Sequence, residues 1–231
     1  MYLLRCLKLI WIVPGAWIGS ILIRKKPMDE RYAYLARWAK RLMDAFKIQI
    51  QIHQEEELPS EGPILFVGNH QSEFDMLIQM CAIKRPFTFI SKVENEKTPF
   101  VGSWSKTLDV LFFDRNDRSS GIHMLREASR RLKDHKDLLI YPEGTRSKGN
   151  QMHEMQAGSL QPAFMSKAYI VPVVLENSYQ YIDIAKHKGT FHIHILRPIP
   201  FEEYKPLKAE GLISKLQKEM QDVLNRSTPS K

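Results

Sequence analysis

Residues 63–75 read PILFVGNHQSEFD, and residues 138–147 read LLIYPEGTRS. Each is a short apolar run of strand length that breaks off at a polar island, after Gly68 in the first and at Pro142 in the second. The first island, Asn69 to Asp75, holds a base, His70, and a carboxylate, Asp75. The second sets Arg146 beside Glu143 on a turn that Gly144 permits. The pattern is that of a proton-transfer site facing an anion site.

On either side the alternation continues. Residues 47–53, KIQIQIH, carry isoleucines at 48, 50 and 52, the period of a half-buried strand. Short apolar runs recur at 87–91, 110–113, 170–175 and 191–196, separated by helix-like stretches around 73–83, 119–135 and 157–168. Over residues 208–225, Leu212, Ile213, Leu216, Met220, Val223 and Leu224 share one helical face, so a final helix is expected to pack on the sheet. Strands alternating with helices predict an α/β fold, a single domain over residues 47–231 with a central mixed, largely parallel sheet flanked by helices. A chain of 231 residues is long enough to bury such a core.

Residues 1–46 are expected to form an N-terminal membrane-anchoring helical segment. Residues 9–23, LIWIVPGAWIGSILI, are uncharged and are bounded by Arg5 and Lys8 before and by Arg24, Lys25 and Lys26 after. The run is 15 residues long, short of the ~20 that span a hydrocarbon core. Pro14-Gly15 interrupts it, and Trp11 and Trp17 are side chains that settle at headgroup level. An anchor lying in one leaflet is the expectation, with a tilted spanning helix and a buried core helix as the alternatives. A cleaved signal peptide does not fit, because a small-residue cleavage site is missing. Residues 29–46 follow with helical spacing, apolar on one face and basic on the other, a stripe suited to packing on a core or to continuing the membrane contact.

A formal net charge of +8 favours anionic partners: phosphorylated metabolites, an anionic membrane surface or nucleic acid. The basic residues are spread along the chain without an RNA-binding motif, zinc-finger spacing or dense basic helix, so nucleic acid is not the expected partner. Cys6 and Cys81 are too few for a disulfide framework and read as free thiols on the cytosolic side. His192 and His194 alternate on one face of FHIHIL; without a third ligand nearby in the sequence they read as a polar sheet face, and no metal is expected. His53, His123, His135, His153 and His187 read as solvated.

His70 and Asp75 are five residues apart, which on one helix would separate them by roughly 140°. They meet only if His70 lies in the loop. Ser72 as N-cap would allow that, with Asp75 at the third helical position swinging back to the imidazole. Asp75 would then fix one ring nitrogen and leave the other as a proton acceptor, the arrangement of a general base. Ser72-x-x-Asp75 is equally a capping-box pattern, with His70 satisfying a loop carbonyl. In the second island an arginine at a turn with exposed backbone N–H groups suits a phosphate. Arg115 follows the run VLFFD and Lys92 follows PFTFIS, so a parallel sheet would bring three cations to one edge.

These residues resemble the 1-acylglycerol-3-phosphate acyltransferase family of phospholipid synthesis. NHQSEFD matches its first block, LFFDR its second, YPEGTRS its third and IVPVVLENS its fourth, in order and spacing, over roughly residues 60 to 180. The chain departs from the family where it has Asp109-Val110 before the second block and Met155-Gln156-Ala157-Gly158 after the third. The resemblance implies that His70 is the general base for the free hydroxyl of lysophosphatidic acid and that Asp75 orients it. It implies a direct attack on an acyl thioester without a covalent acyl-enzyme. Lys92, Arg115 and Arg146 would hold the acceptor phosphate, Glu143 would position the glycerol, and Gly144 and Thr145 would complete the substrate-binding turn. The donor would be acyl-carrier protein or coenzyme A thioester, with no metal or redox cofactor. An apolar tunnel opening toward the anchor would take the acyl chain at the cytoplasmic face of the membrane, the protein being monotopic or peripheral. Glycerol-3-phosphate or another lysophospholipid is the alternative acceptor, and a non-catalytic basic membrane protein the alternative class.

Overall fold

In the computed structural model, residues 2–54 and 56–226 are described, apart from the side chain of Arg118. The strands are β1 (Gln49–Gln54), β2 (Ile64–Gly68), β3 (Phe87–Lys92), β4 (Leu111–Phe113), β5 (Asp137–Ile140), β6 (Tyr169–Glu176) and β7 (Thr190–Ile195). The helices are α1 (Tyr2–Cys6), α2 (Leu9–Leu22), α3 (Met28–Phe46), α4 (Asp75–Ala82), α5 (Val101–Thr107), α6 (Arg118–Lys133), α7 (Gln161–Ser166), α8 (Tyr181–His187), α9 (Phe201–Tyr204) and α10 (Lys208–Arg226). The seven strands form one sheet in the order β1-β7-β6-β2-β5-β3-β4. Every neighbouring pair is parallel except β6 with β7. The sheet is therefore mixed and largely parallel.

Alternate residues of the central strand face two separate cores, as a strand covered on both sides requires. Ile64 and Phe66 of β2 join Leu35, Met43, Ile78 and Trp104 on one face. Leu65 and Val67 join Leu132, Leu160, Leu212, Leu216 and Met220 on the other. α3 thus buries its apolar stripe against α4 and the sheet. Three short helices, α5, α8 and α9, have no counterpart in the sequence reading; at 7, 7 and 4 residues they are too short for a periodic pattern to stand out.

The apolar N-terminus extends further than its uncharged run. Taken together, α1 and α2 give a helical stretch, Tyr2–Leu22, long and apolar enough to cross a membrane by length and composition, with 21 residues, mean hydropathy 1.4 and only 17% of its 18-residue apolar window buried. It is also docked. Arg5 donates to the carbonyls of Phe46 and Ala185, at 3.1 and 3.0 Å. Ser20 Oγ lies 2.7 Å from Ser103 Oγ, and Thr107 Oγ1 donates to the Ser20 carbonyl at 2.9 Å, clasping α2 to α5. Gly15 and Gly19 let α3 approach closely: a Cβ at Gly19 would fall 1.6 Å from Tyr34 Oη. Away from these contacts, Leu3, Leu4, Ile10, Trp11 and Leu22 are open to solvent, Trp11 with 80% of its surface exposed.

The five strands β6, β2, β5, β3 and β4 run the same way, so their carboxyl ends share one sheet edge. Both polar islands emerge from that edge, a usual location for ligand sites in such sheets.

Candidate active site

β2 ends at Gly68 and the chain leaves the sheet through Asn69, which is buried and pairs with both the N–H and the C=O of Leu175 at 2.7 and 2.9 Å. That side chain extends the β2–β6 ladder by one rung and fixes where His70 begins. His70 Nδ1 then lies 2.7 Å from Asp75 Oδ2. A carboxylate can only accept, so the proton of this bond sits on Nδ1 and Nε2 is left as an acceptor. The His70 side chain is 24% exposed, while Asp75 is fully buried.

The helix does not start as the capping pattern predicts. α4 begins at Asp75 itself, with Phe74 as the cap residue. Ser72 stays in the loop, accepting from Phe74 N at 3.1 Å and donating to Asp75 Oδ1 at 2.9 Å. The reason is that the Asp75 carboxylate serves the loop before it. It accepts from Gln71 N at 2.7 Å, from Ser72 N at 3.0 Å, and from Ser178 Oγ, beyond the end of β6, at 2.5 Å. At the first position of α4 it also sits at the positive end of the helix dipole. Gln71 completes the shell, accepting from Ser178 N at 2.8 Å and donating to Asn150 Oδ1 at 2.9 Å.

In the second island, Gly144 adopts φ +67°, with its N–H bonded to the Tyr141 carbonyl at 3.0 Å. Glu143, which the resemblance gives to the glycerol, has backbone partners in the structure. Its carboxylate is buried and accepts from His70 N at 2.7 Å and His153 N at 2.8 Å, so both oxygens brace the backbone. Burial raises its pKa, opposed by those two N–H groups. Thr145 is exposed, and Arg146 pairs with Glu73 of the first island. Lys92 and Arg115 stand on the same edge, Lys92 in register with Phe113 at the end of β4 and Arg115 over the Phe113 ring at 6.0 Å. With ~4.8 Å between strands, β3 lies about 10 Å and β4 about 14 Å along the edge from the strand that carries His70. The edge therefore carries all three cations, but only Arg146 touches the first island.

Beside this edge lies an apolar cavity of about 310 Å³ between α2, α3, α4, α5 and α8, lined by residues that include Ile12, Ala16, Trp38, Phe74, Phe100, Trp104 and Tyr181. Phe74, which sits between His70 and Asp75 in sequence, stacks on Tyr181 at 4.4 Å and forms part of its wall.

Several site residues were not singled out in the sequence. Ser178 closes the run IVPVVLENS but nothing local marks it as a partner of Asp75. Tyr141 lies flat against the His70 ring, with centroids 4.3 Å apart and 16° between planes. On the opposite half of the sheet His53 is not solvated: its Nε2 lies 3.2 Å from His192 Nδ1 and its ring stacks on His194, which pairs with Glu176. Burial lowers the pKa of His194 against the pull of Glu176. Among the described residues, no group of three or more His, Cys, Asp or Glu side chains is arranged to hold a metal ion.

Known proteins are similar to this chain in sequence and, in one case, in fold. The 1-acyl-sn-glycerol-3-phosphate acyltransferase of Escherichia coli is 24% identical over 208 residues, covering 88% of this chain and 85% of its own. That of Haemophilus influenzae is 24% identical over 172 residues, 74% of this chain and 72% of its own. The crystal structure of the 1-acyl-sn-glycerophosphate (LPA) acyltransferase from Thermotoga maritima shares the fold with a TM-score of 0.73, at 21% identity, over 98% of this chain and 100% of that one. The family model described as Acyltransferase matches residues 49–176, which run from β1 to the end of β6 and contain both islands. That match spans more than half of the 231 residues, and the chain belongs to the acyltransferase family of enzymes.

Proposed function

We propose that this acyltransferase moves a fatty acyl group from an acyl thioester to the free hydroxyl of 1-acylglycerol-3-phosphate, giving phosphatidic acid. The acceptor follows the names of the relatives in Escherichia coli and Haemophilus influenzae. The single observation that carries the chemistry is the 2.7 Å bond from His70 Nδ1 to a buried, otherwise fully bonded Asp75 at the carboxyl edge of the sheet.

His70 Nε2 takes the hydroxyl proton as that oxygen attacks the thioester carbonyl. The tetrahedral adduct collapses, the C–S bond breaks, and the leaving thiolate receives the proton from Nε2. No acyl-enzyme forms, and every proton is accounted for without a metal or redox cofactor. General-base assistance of this kind contributes ~10²–10⁴-fold. Arg146 takes the acceptor phosphate in exchange for Glu73, and Arg115 and Lys92 supply charge further along the edge. The donor is a thioester of acyl-carrier protein or coenzyme A, its chain lying in the apolar cavity.

The docked, outward-facing helix supports a monotopic or peripheral attachment to the membrane, which the proposal places at the cytoplasmic face. α2 is bound to α3 and α5 on one side while Trp11 and Leu22 face outward on the other, which suits burial in one leaflet. Both lipids then reach the site without leaving the bilayer.

The test is transfer of a radiolabelled acyl group from a palmitoyl thioester to lysophosphatidic acid in detergent micelles. Activity in the native chain and its loss in His70→Ala are expected. Robust transfer by His70→Ala would overturn the general-base role, and faster reaction of glycerol-3-phosphate would overturn the acceptor.

A further inference from the structure

We propose that Tyr141 is a positioning residue for His70: its phenol ring, locked by Gln79 and fitted by Gly68, sets the plane of the imidazole. The inference rests on the general-base reading of His70 and concerns how that base is held. A single hydrogen bond from Nδ1 to Asp75 fixes a point on the ring and leaves the ring free to swing about it. Contact over the whole face removes that freedom, and Tyr141 supplies it at 4.3 Å and 16°.

The phenol is itself held from three sides. Its hydroxyl donates to Gln79 Oε1 at 2.6 Å, and Gln79 is fully buried in α4. Gly68 leaves room for this pair: an added Cβ there would lie 2.9 Å from Gln79 Nε2 and 3.1 Å from Tyr141 Cε1. Its own carbonyl accepts from Gly144, tying its backbone to the turn of the second island. Burial, and secondarily the Asp75 carboxylate, push the phenol well above its ordinary pKa, so it stays a donor to Gln79 and does not compete for the substrate proton.

Stacking also has an electrostatic consequence. The face of an aromatic ring is electron-rich, and an imidazolium forms against it at the moment His70 accepts the proton. This contact strengthens as charge develops, so it acts on kcat more than on KM.

The experiment compares Tyr141→Leu, Tyr141→Phe and replacement of Tyr141 by pentafluorophenylalanine in the full chain, with His70→Ala as reference. Tyr141→Leu keeps apolar bulk and removes the face; kcat is expected to fall about 30-fold, the size of a desolvated cation–π contact, with KM for donor and acceptor unchanged. Tyr141→Phe keeps the face and is expected to stay within about threefold of the native kcat, since the one hydrogen bond it loses lies away from the imidazole. The fluorinated ring keeps the shape but reverses the charge of the face; its kcat should fall below that of Tyr141→Phe, and this arm stands even where Tyr141→Leu does not fold. Equal kcat in the fluorinated and Phe variants, native kcat in a folded Tyr141→Leu, or a fall in Tyr141→Phe as deep as in Tyr141→Leu would each overturn the proposal. If His70→Ala itself keeps full activity, the base reading has failed; if it is inactive while the ring variants are all native-like, the Tyr141 inference alone has failed.

Discussion

The two halves of the site are built on opposite terms. On the His70 side, Asp75 is fully buried and holds Nδ1, two backbone amides and the hydroxyls of Ser72 and Ser178, while Glu143 pins the His70 backbone from beneath. On the cation side, the Arg146 and Glu73 side chains are 37% and 63% exposed, and Lys92 is open to solvent. Proton transfer falls off over tenths of an ångström, so the base needs a rigid cradle. Attraction of a phosphate falls off slowly with distance, and flexible cations serve it well. One half is made to be exact in place, the other to adapt to the ligand it meets.

The sharpest way to break this contrast is Asp75→Asn. An amide NH₂ turned toward His70 donates to Nδ1 and moves the ring proton to Nε2, while its oxygen can serve only part of the shell of donors that the carboxylate holds. kcat is expected to fall ~10³–10⁴-fold with little change in KM, because the tautomer of His70 is lost while the lipid contacts remain. Combining Asp75→Asn with His70→Ala should cost no more than His70→Ala alone; additive losses in steady-state kinetics would show that the pair does not act as a unit.

Arg146→Ala probes the other half. Losing one charge-assisted contact of ~1.5–3 kcal/mol should raise KM for the phosphate-bearing acceptor about 10- to 100-fold, with a smaller change in kcat. The defect should shrink as salt rises, and more than that of a buried pair, because exposed charges are the ones salt screens. A kcat loss equal to that of Asp75→Asn would erase the distinction between the halves.

Glu143→Ala separates bracing from binding. It leaves two N–H groups, of His70 and His153, without their acceptor, which should lower stability by about 2–4 kcal/mol in denaturant melts. A contact with glycerol would instead show as a raised acceptor KM at unchanged stability.

What could be read in advance follows from how local each signal is. β2 and β5 and the islands after them were legible because ILFVG and LLI are unbroken apolar runs ended by turn residues, and the alternation around them implied a largely parallel sheet. The start of α4 was misread because Ser72 and Asp75 can cap in two ways, and the choice is made by Ser178, 103 residues away, which shares the carboxylate. The bracing role of Glu143 was not legible because its partners, the amides of His70 and His153, are backbone groups that no motif names. His53 lacked a visible partner for the same reason: His192 is 139 residues distant and meets it only across β1 and β7. Residue types marked which groups could carry chemistry; the hydrogen-bond partners that hold those groups come from other parts of the chain.

Glu73→Gln sharpens the comparison at its weakest point and should have the smallest effect. On the proposed reading Glu73 is the group a phosphate displaces from Arg146, and both side chains reach solvent, where such a pair contributes ~0.2–1 kcal/mol. Neutralising it should lower the acceptor KM about two- to threefold, leave kcat unchanged, and lose its effect as salt rises. Lys92→Ala, on an exposed cation two strands away, should raise KM by a similar factor. If Glu73→Gln instead lowered kcat, Arg146 would need Glu73 to be held in place, and the cation half would be as rigidly built as the base.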